Sequence, residues 1–172
     1  MFDYYTRNVN WIYHILHVPT VEKQMGDLYS SFEQELPLNY GHLALISTIF
    51  SLSAYYSSLS ANLFSDTAEA MGYCRRWTLL AQDALSTSNC LVSPTIETLQ
   101  SLILISQHLM PNIGAVATLR TLAATIISAA RELKLHRLDS LSNRSRRKNT
   151  QVDWVEVETK RRLWWHITST DW

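Results

Sequence analysis

The chain has 172 residues, enough for one domain with a real core and short for two. Hydrophobic residues at 47% against 17% charged exclude a disordered chain, and only four glycines and four prolines disfavour the turn-rich sandwiches and barrels. Fifteen basic residues balance fifteen acidic ones, which disfavours a whole-chain electrostatic grip on nucleic acid.

In chain order the sequence reads as helix after helix. Asp3 to His17 carries an aromatic-rich stripe of Tyr4, Trp11, Ile12, Ile15 and Leu16, closed by Pro19. Pro19-Thr20 opens a second helix that runs through Leu28 and Phe32 and ends at Pro37. From Leu36 to Ser65 no Asp, Glu, Lys or Arg occurs, a stretch long enough to span a bilayer. Its polar Asn39, His42 and Asn62 argue against a span. So does its stripe of Leu45, Ile49, Leu52, Tyr56, Leu59 and Leu63, with Ser47, Ser51 and Ser58 off the stripe. The better reading is a buried bundle helix from about Tyr40 to about Leu63.

Asp66 followed by Glu69 has the form of a capping box for a fourth helix through Met71, Cys74, Leu79 and Leu85, with Arg75 and Arg76 on its wet side. Leu85 to Ser93 reads as a loop, and Ser93-Pro94 caps a fifth helix from Thr95 to about Met110. Pro111, Asn112 and Gly114 break the chain. A sixth helix then places Val116, Leu119, Ala123, Ile126, Ala130 and Leu133 on one side, with enough alanines for a neighbour to approach closely. Residues 138–152 read as an exposed, mobile basic loop without apolar period. Asp153 and Glu156 cap a last helix from Trp154 to the chain end. No stretch alternates with a strand's period. The expected architecture is all-α, an irregular bundle of about seven helices over residues 1–172.

Chemistry is sparse. No glycine-rich phosphate loop, nucleophile elbow or H-E-x-x-H pattern occurs, and enzyme activity has no support. His14 and His17 are three apart but lack a further ligand type nearby, and read as packing or surface residues before a metal pair. Glu33 and Glu35 point to different helix faces. Cys74 and Cys90 have no metal-type spacing and read as buried apolar residues, so no cofactor is expected and a reducing, intracellular compartment is. The N-terminus lacks a signal-peptide pattern.

The run Arg144, Ser145, Arg146, Arg147, Lys148 reads equally as a nuclear import signal or anion patch and as a solvated loop. In the tail, Glu156–Lys160 and Glu158–Arg162 are acid-before-base pairs four apart. Leu163, Trp164 and Ile167 share a core-facing stripe, and Arg161 stands four residues from Trp165, within reach of a cation–π contact. Asp171 is expected to meet Arg120 or Arg131.

The tail's E-x-K-R-R-L-W-W, with an Asp several residues on, resembles the signature of the fungal-specific transcription factor domain. The residues concerned are Glu158, Arg161, Arg162, Leu163, Trp164, Trp165 and Asp171. Two further segments agree in order. Thr98, Leu99 and Gln100 in IETLQSLILISQHL are similar to the family's T-L-Q helix, and Leu133, Leu135, His136 and Arg137 in AARELKLHR are similar to its A-x-x-L-G-L-H-R segment. The early WIYHILHVPT is similar to an upstream aromatic–His–Pro stretch.

The resemblance implies an all-helical, non-catalytic regulatory domain of a nuclear transcription factor, downstream of a six-cysteine zinc cluster that binds DNA. It also implies protein partners among the transcription machinery or related factors, a homodimer included, and no membrane. Zinc and DNA binding then belong to the family's separate module, because these residues hold no six-cysteine cluster. The alternative is a free-standing helical dimerisation protein that lost its DNA-binding half. Lys134 stands where the family has glycine, which implies either a strained left-handed cap or a shifted helix end. The family domain continues past the Asp matched by Asp171, so residues 1–172 read as the N-terminal part of that regulatory domain, truncated after residue 172: a fragment, a wrongly delimited gene or a degenerate paralogue.

Overall fold

A computed structural model describes residues 1–58, 63–109, 116–148 and 151–170. Among these are eight α-helices and no strand: α1 Phe2–Asn8, α2 Val18–Glu33, α3 Tyr40–Ser58, α4 Thr67–Thr87, α5 Ile96–Leu104, α6 Val116–Glu132, α7 Leu141–Lys148 and α8 Trp154–Thr170. The charge-free α3 is central, packed against α1, α2, α4 and α5, while α5 also meets α6 and α8. No described helix is long and apolar enough to cross a membrane.

The burial of α3 is wider than a stripe. Leu45, Ile49, Leu52, Ala44 and Ala54 are sealed from solvent, and so are Ser47, Thr48, Ser51, Ser53 and Ser57, of which Ser47 and Ser51 were expected off the apolar side. Serine and threonine are small, and apart from Ser47, whose buried hydroxyl makes no hydrogen bond among the described residues, these hydroxyls find acceptors in the helix backbone or a neighbour, which removes much of the cost of burying them. Thr48 Oγ1 donates to the Ala44 carbonyl at 2.8 Å and Ser53 Oγ to that of Ile49 at 2.8 Å. Others tie α3 to its neighbours. Ser51 Oγ meets the Cys74 carbonyl at 3.0 Å and Thr78 Oγ1 at 2.7 Å on α4, and Thr48 meets Ser101 on α5 at 2.7 Å.

Several boundaries differ from the sequence reading. The first helix stops at Asn8. The chain continues as a single 3₁₀ turn, Asn10–Ile12, and then irregularly through His14, whose φ of 50° is left-handed. In the irregular stretch before α2 the Ile15 carbonyl, whose helical partner would be the amide-less Pro19, is satisfied from across the fold: the buried side-chain amide of Gln100 donates Nε2 to it at 2.8 Å. Gln34 follows α2, and Glu35 adopts φ 54°, so the helix ends before Pro37.

The Asp66 cap is as expected, accepting from the Glu69 amide at 2.7 Å, but α4 runs on to Thr87, into the start of the Leu85–Ser93 stretch read as loop, whose remainder is turns. The cap of α5 is Thr95 rather than Ser93. Thr95 and Thr98 form a reciprocal capping box, and the helix passes at Ile105 into a π-turn ending at Leu109. Within residues 138–152, Leu141–Lys148 is helical, not a loop. The break at Pro111, Asn112 and Gly114, and Asp171 with its expected arginine bond, lie outside the described residues.

Candidate functional site

The C-terminal end of α6 sets up the site. Lys134 takes the left-handed conformation, φ 58° and ψ 26°, so the helix terminates in place and the strained cap is the outcome. The reversal drives Leu135 into the core at 1% exposure and presents His136 and Arg137 on a 3₁₀ turn against α8. Two residues later, Asp139 faces both α7 and α8.

Asp139 is the hub. Arg161 of α8 grips it with two bonds, Nε to Oδ2 at 2.8 Å and Nη2 to Oδ1 at 3.0 Å. Arg147 of α7 adds Nη2 to Oδ1 at 2.8 Å and donates Nη1 to the Leu138 carbonyl at 2.8 Å. Paired guanidiniums favour the ionised carboxylate, so the Asp139 acid is held down at about 2, with Arg161 the larger cause. Arg161 also donates Nη1 to Glu158 Oε2 at 2.6 Å, and Arg162 donates Nε to Glu158 Oε1 at 3.1 Å. These bonds, that of Arg162 first, lower the Glu158 acid. Asp139 and Glu158 in turn hold the Arg161 guanidinium more firmly protonated.

Below this network lies apolar packing. Leu163 at 0% and Ile167 at 4% exposure anchor α8 in the core, as their spacing predicts. Trp164 is half-buried with its ring 6.0 Å from that of His136, and Trp165 is 67% exposed. Arg161 turns to Asp139 and Glu158, which replaces the expected contact with Trp165. The pair Glu158–Arg162 forms as expected, and so does Glu156–Lys160.

A second junction holds the T-L-Q segment. Leu99 is sealed in the core, Thr98 closes its capping box, and Gln100 reaches the N-terminal segment through Ile15. Beside it the Tyr13 and His166 rings meet edge to face at 4.6 Å, so the N-terminal segment also touches α8. Burial lowers the basicity of His166. The three motif segments are thus the places where distant parts of the chain are fastened together.

The remaining candidates do not converge on a reacting centre. His14 and His17 sit in an irregular segment, so their spacing does not place them on one helix face, and His17 Nδ1 bonds Thr20 Oγ1 at 2.8 Å. Cys74 and Cys90 are buried, and desolvation pushes both thiols up, away from the reactive thiolate. Among the described residues no cluster of three His, Cys, Asp or Glu is placed to hold a metal. The run Arg144–Lys148 is divided: Arg147 is engaged with Asp139, Arg144 is exposed, and the side chains of Arg146 and Lys148 are outside the described set. One site residue was not singled out from sequence, Asp139. The signal for Asp139 was present, as one of two acids within a run of seven bases.

The profile of the fungal specific transcription factor domain matches residues 2–171. The chain belongs to that family. It is similar to the agnestins biosynthesis cluster transcription factor AgnL11 of Paecilomyces divaricatus, 45% identical over all of this chain and 25% of the relative. It is also similar to the probable transcription factor lepB of Aspergillus flavus, 35% identical over 98% of this chain and 30% of the relative. The chain therefore spans between a quarter and a third of the length of these curated relatives. No solved structure matches it.

Proposed function

We propose that this fungal-specific transcription factor domain acts as a non-catalytic regulatory module, tuning transcription in the nucleus by presenting or withholding a helical surface to protein partners. The observation that carries this reading is the convergence of the LHR turn, α7 and α8 on Asp139. A charge-assisted tie at a helix junction biases packing and performs no bond-making chemistry. Both cysteines, the strongest nucleophile type in the chain, are buried with raised thiols. DNA recognition would belong to a zinc-cluster module of the longer protein, since the zero net charge of this chain gives no general attraction to phosphate. The names of its relatives support the transcriptional role.

The test is a reporter assay in which the chain is fused between a heterologous DNA-binding domain and an activation domain. Reporter output should change relative to a fusion with an inert helical spacer of equal length, and Leu163→Asp, which unseats α8, should restore the spacer's level. Equal output from chain and spacer would refute the regulatory reading. A salt-resistant footprint by the isolated chain on one defined DNA site would refute the division of labour.

A further inference from the structure

An open cleft of about 440 Å³ lies beside the Asp139 hub, lined by Asp139, Arg144, Arg147, Trp154 and Arg161. The lining holds three arginines and one carboxylate, an excess of two positive charges. Arg147 and Arg161 are held by Asp139, and Arg147 also by the Leu138 carbonyl, so both are fixed in place. Arg144, one turn before Arg147 on α7, makes no ion pair among the described residues and is exposed. Across the cleft Trp154, at the start of α8, leaves 63% of its surface open. The amides behind it, of Val155 and Glu156, are already capped by Asp153 Oδ1.

We propose that this cleft binds a planar aromatic carboxylate, its carboxylate on the Arg144 guanidinium and its ring against the Trp154 indole. A free guanidinium presents a flat fork of donors that matches a carboxylate with two parallel bonds. The field of Arg147 adds attraction, and the exposed indole supplies a face for stacking. The space suits a small organic molecule and is larger than an inorganic anion needs. The carboxylates of Asp139 and Glu158 stand beside the cleft, so a continuous phosphate backbone would meet repulsion that a single small anion avoids. The assignment deepens the regulatory reading, because a ligand seated between α7 and α8 would bias the Asp139 tie. It rests on that reading for its purpose alone.

The experiment titrates 2-naphthoate into the 172-residue chain by calorimetry, with 2-naphthamide, inorganic phosphate and a short DNA duplex as comparators. Naphthoate should bind, with naphthamide and phosphate each at least about tenfold weaker. Arg144→Gln and Trp154→Leu should each weaken it by about tenfold while the melting transition stays in place, and Arg144→Lys should lie between. The proposal is overturned if naphthoate gives no heat at millimolar concentration or binds Arg144→Gln unchanged. It is equally overturned if phosphate or DNA displaces naphthoate at comparable concentration, which would make the cleft a general anion patch. Direct binding fails or succeeds independently of the ligand-free reporter assay, so the two readings can be refuted separately.

Discussion

Replacing Asp139 with asparagine removes the charge from the hub while keeping its shape and one acceptor. Its acid sits at about 2 rather than the ordinary 3.8, a shift equivalent to about 2.5 kcal/mol before any discount for solvent screening. The carboxylate and its partners are between 14% and 33% exposed, and screening by solvent reduces the expected loss to about 1 kcal/mol. For a chain of this size that lowers the melting temperature by about 2–4 °C at neutral pH, measurable by circular dichroism or calorimetry. The folded acid is stronger than the unfolded one, so the stabilisation is present above about pH 4 and lost as pH falls toward about 2. The gap between the native chain and Asp139→Asn should therefore be constant near neutrality and narrow below about pH 4. About 1 M salt should also shrink it. Equal melting temperatures at pH 7, or a gap that persists undiminished in acid, would show that the hub does not stabilise the fold through charge.

Leu163→Ala, at a fully sealed position, should cost about 3 kcal/mol or more, whereas Trp165→Ala on the exposed side should change stability by less than about 0.5 kcal/mol, as read by denaturant unfolding. Lys134→Gly should stabilise by about 0.5–1 kcal/mol. Relief of the left-handed strain exceeds the added entropy of the unfolded chain, and a lowered midpoint would refute the strained-cap assignment. Gln100→Leu keeps the volume but orphans the buried Ile15 carbonyl, and should cost about 1–3 kcal/mol with faster amide exchange concentrated in the N-terminal segment.

The all-helical class, most helix positions and the core face of α8 were legible in the sequence, because they follow from local spacing and from caps such as Asp66. What was not legible depends on partners far along the chain. Nothing local stops the first helix at Asn8; the bond from Gln100, 85 residues away from Ile15, belongs to the irregular segment that follows. The burial of every face of α3 depends on its having neighbours on all sides, which composition allows but spacing cannot announce. The basic stretch read as a loop because it lacks apolar period, yet α7 turns its Arg147 to Asp139. A helix can be fastened by one ion pair at its end without burying a stripe. For the candidate site, the sequence singles out the motif residues on the LHR turn and α8 and does not single out Asp139. A hub carboxylate is recognised by what surrounds it in space, and in sequence it stands 22 residues from Arg161.

The doublets of the K-R-R-L-W-W segment show how unequal neighbouring motif residues can be. Successive residues on a helix are turned by about 100°, so a doublet is divided between two faces however similar its members look. Arg161 faces Asp139 and Glu158 together, while Arg162 has Glu158 and is 50% exposed at the rim. Trp164 lies half-buried beside His136, and Trp165 is 67% exposed. The face that carries Arg161 and Trp164 is the face toward the LHR turn, and Leu163 between them carries the anchor into the core. One helix therefore brings apolar packing and charge to the same turn within four residues. This geometry couples any shift of α8 to the Asp139 tie: moving the helix would break two charge-assisted bonds from Arg161 and uncover Leu163 at once. Displacement of α8 is accordingly opposed by the charge tie and the apolar anchor at the same turn.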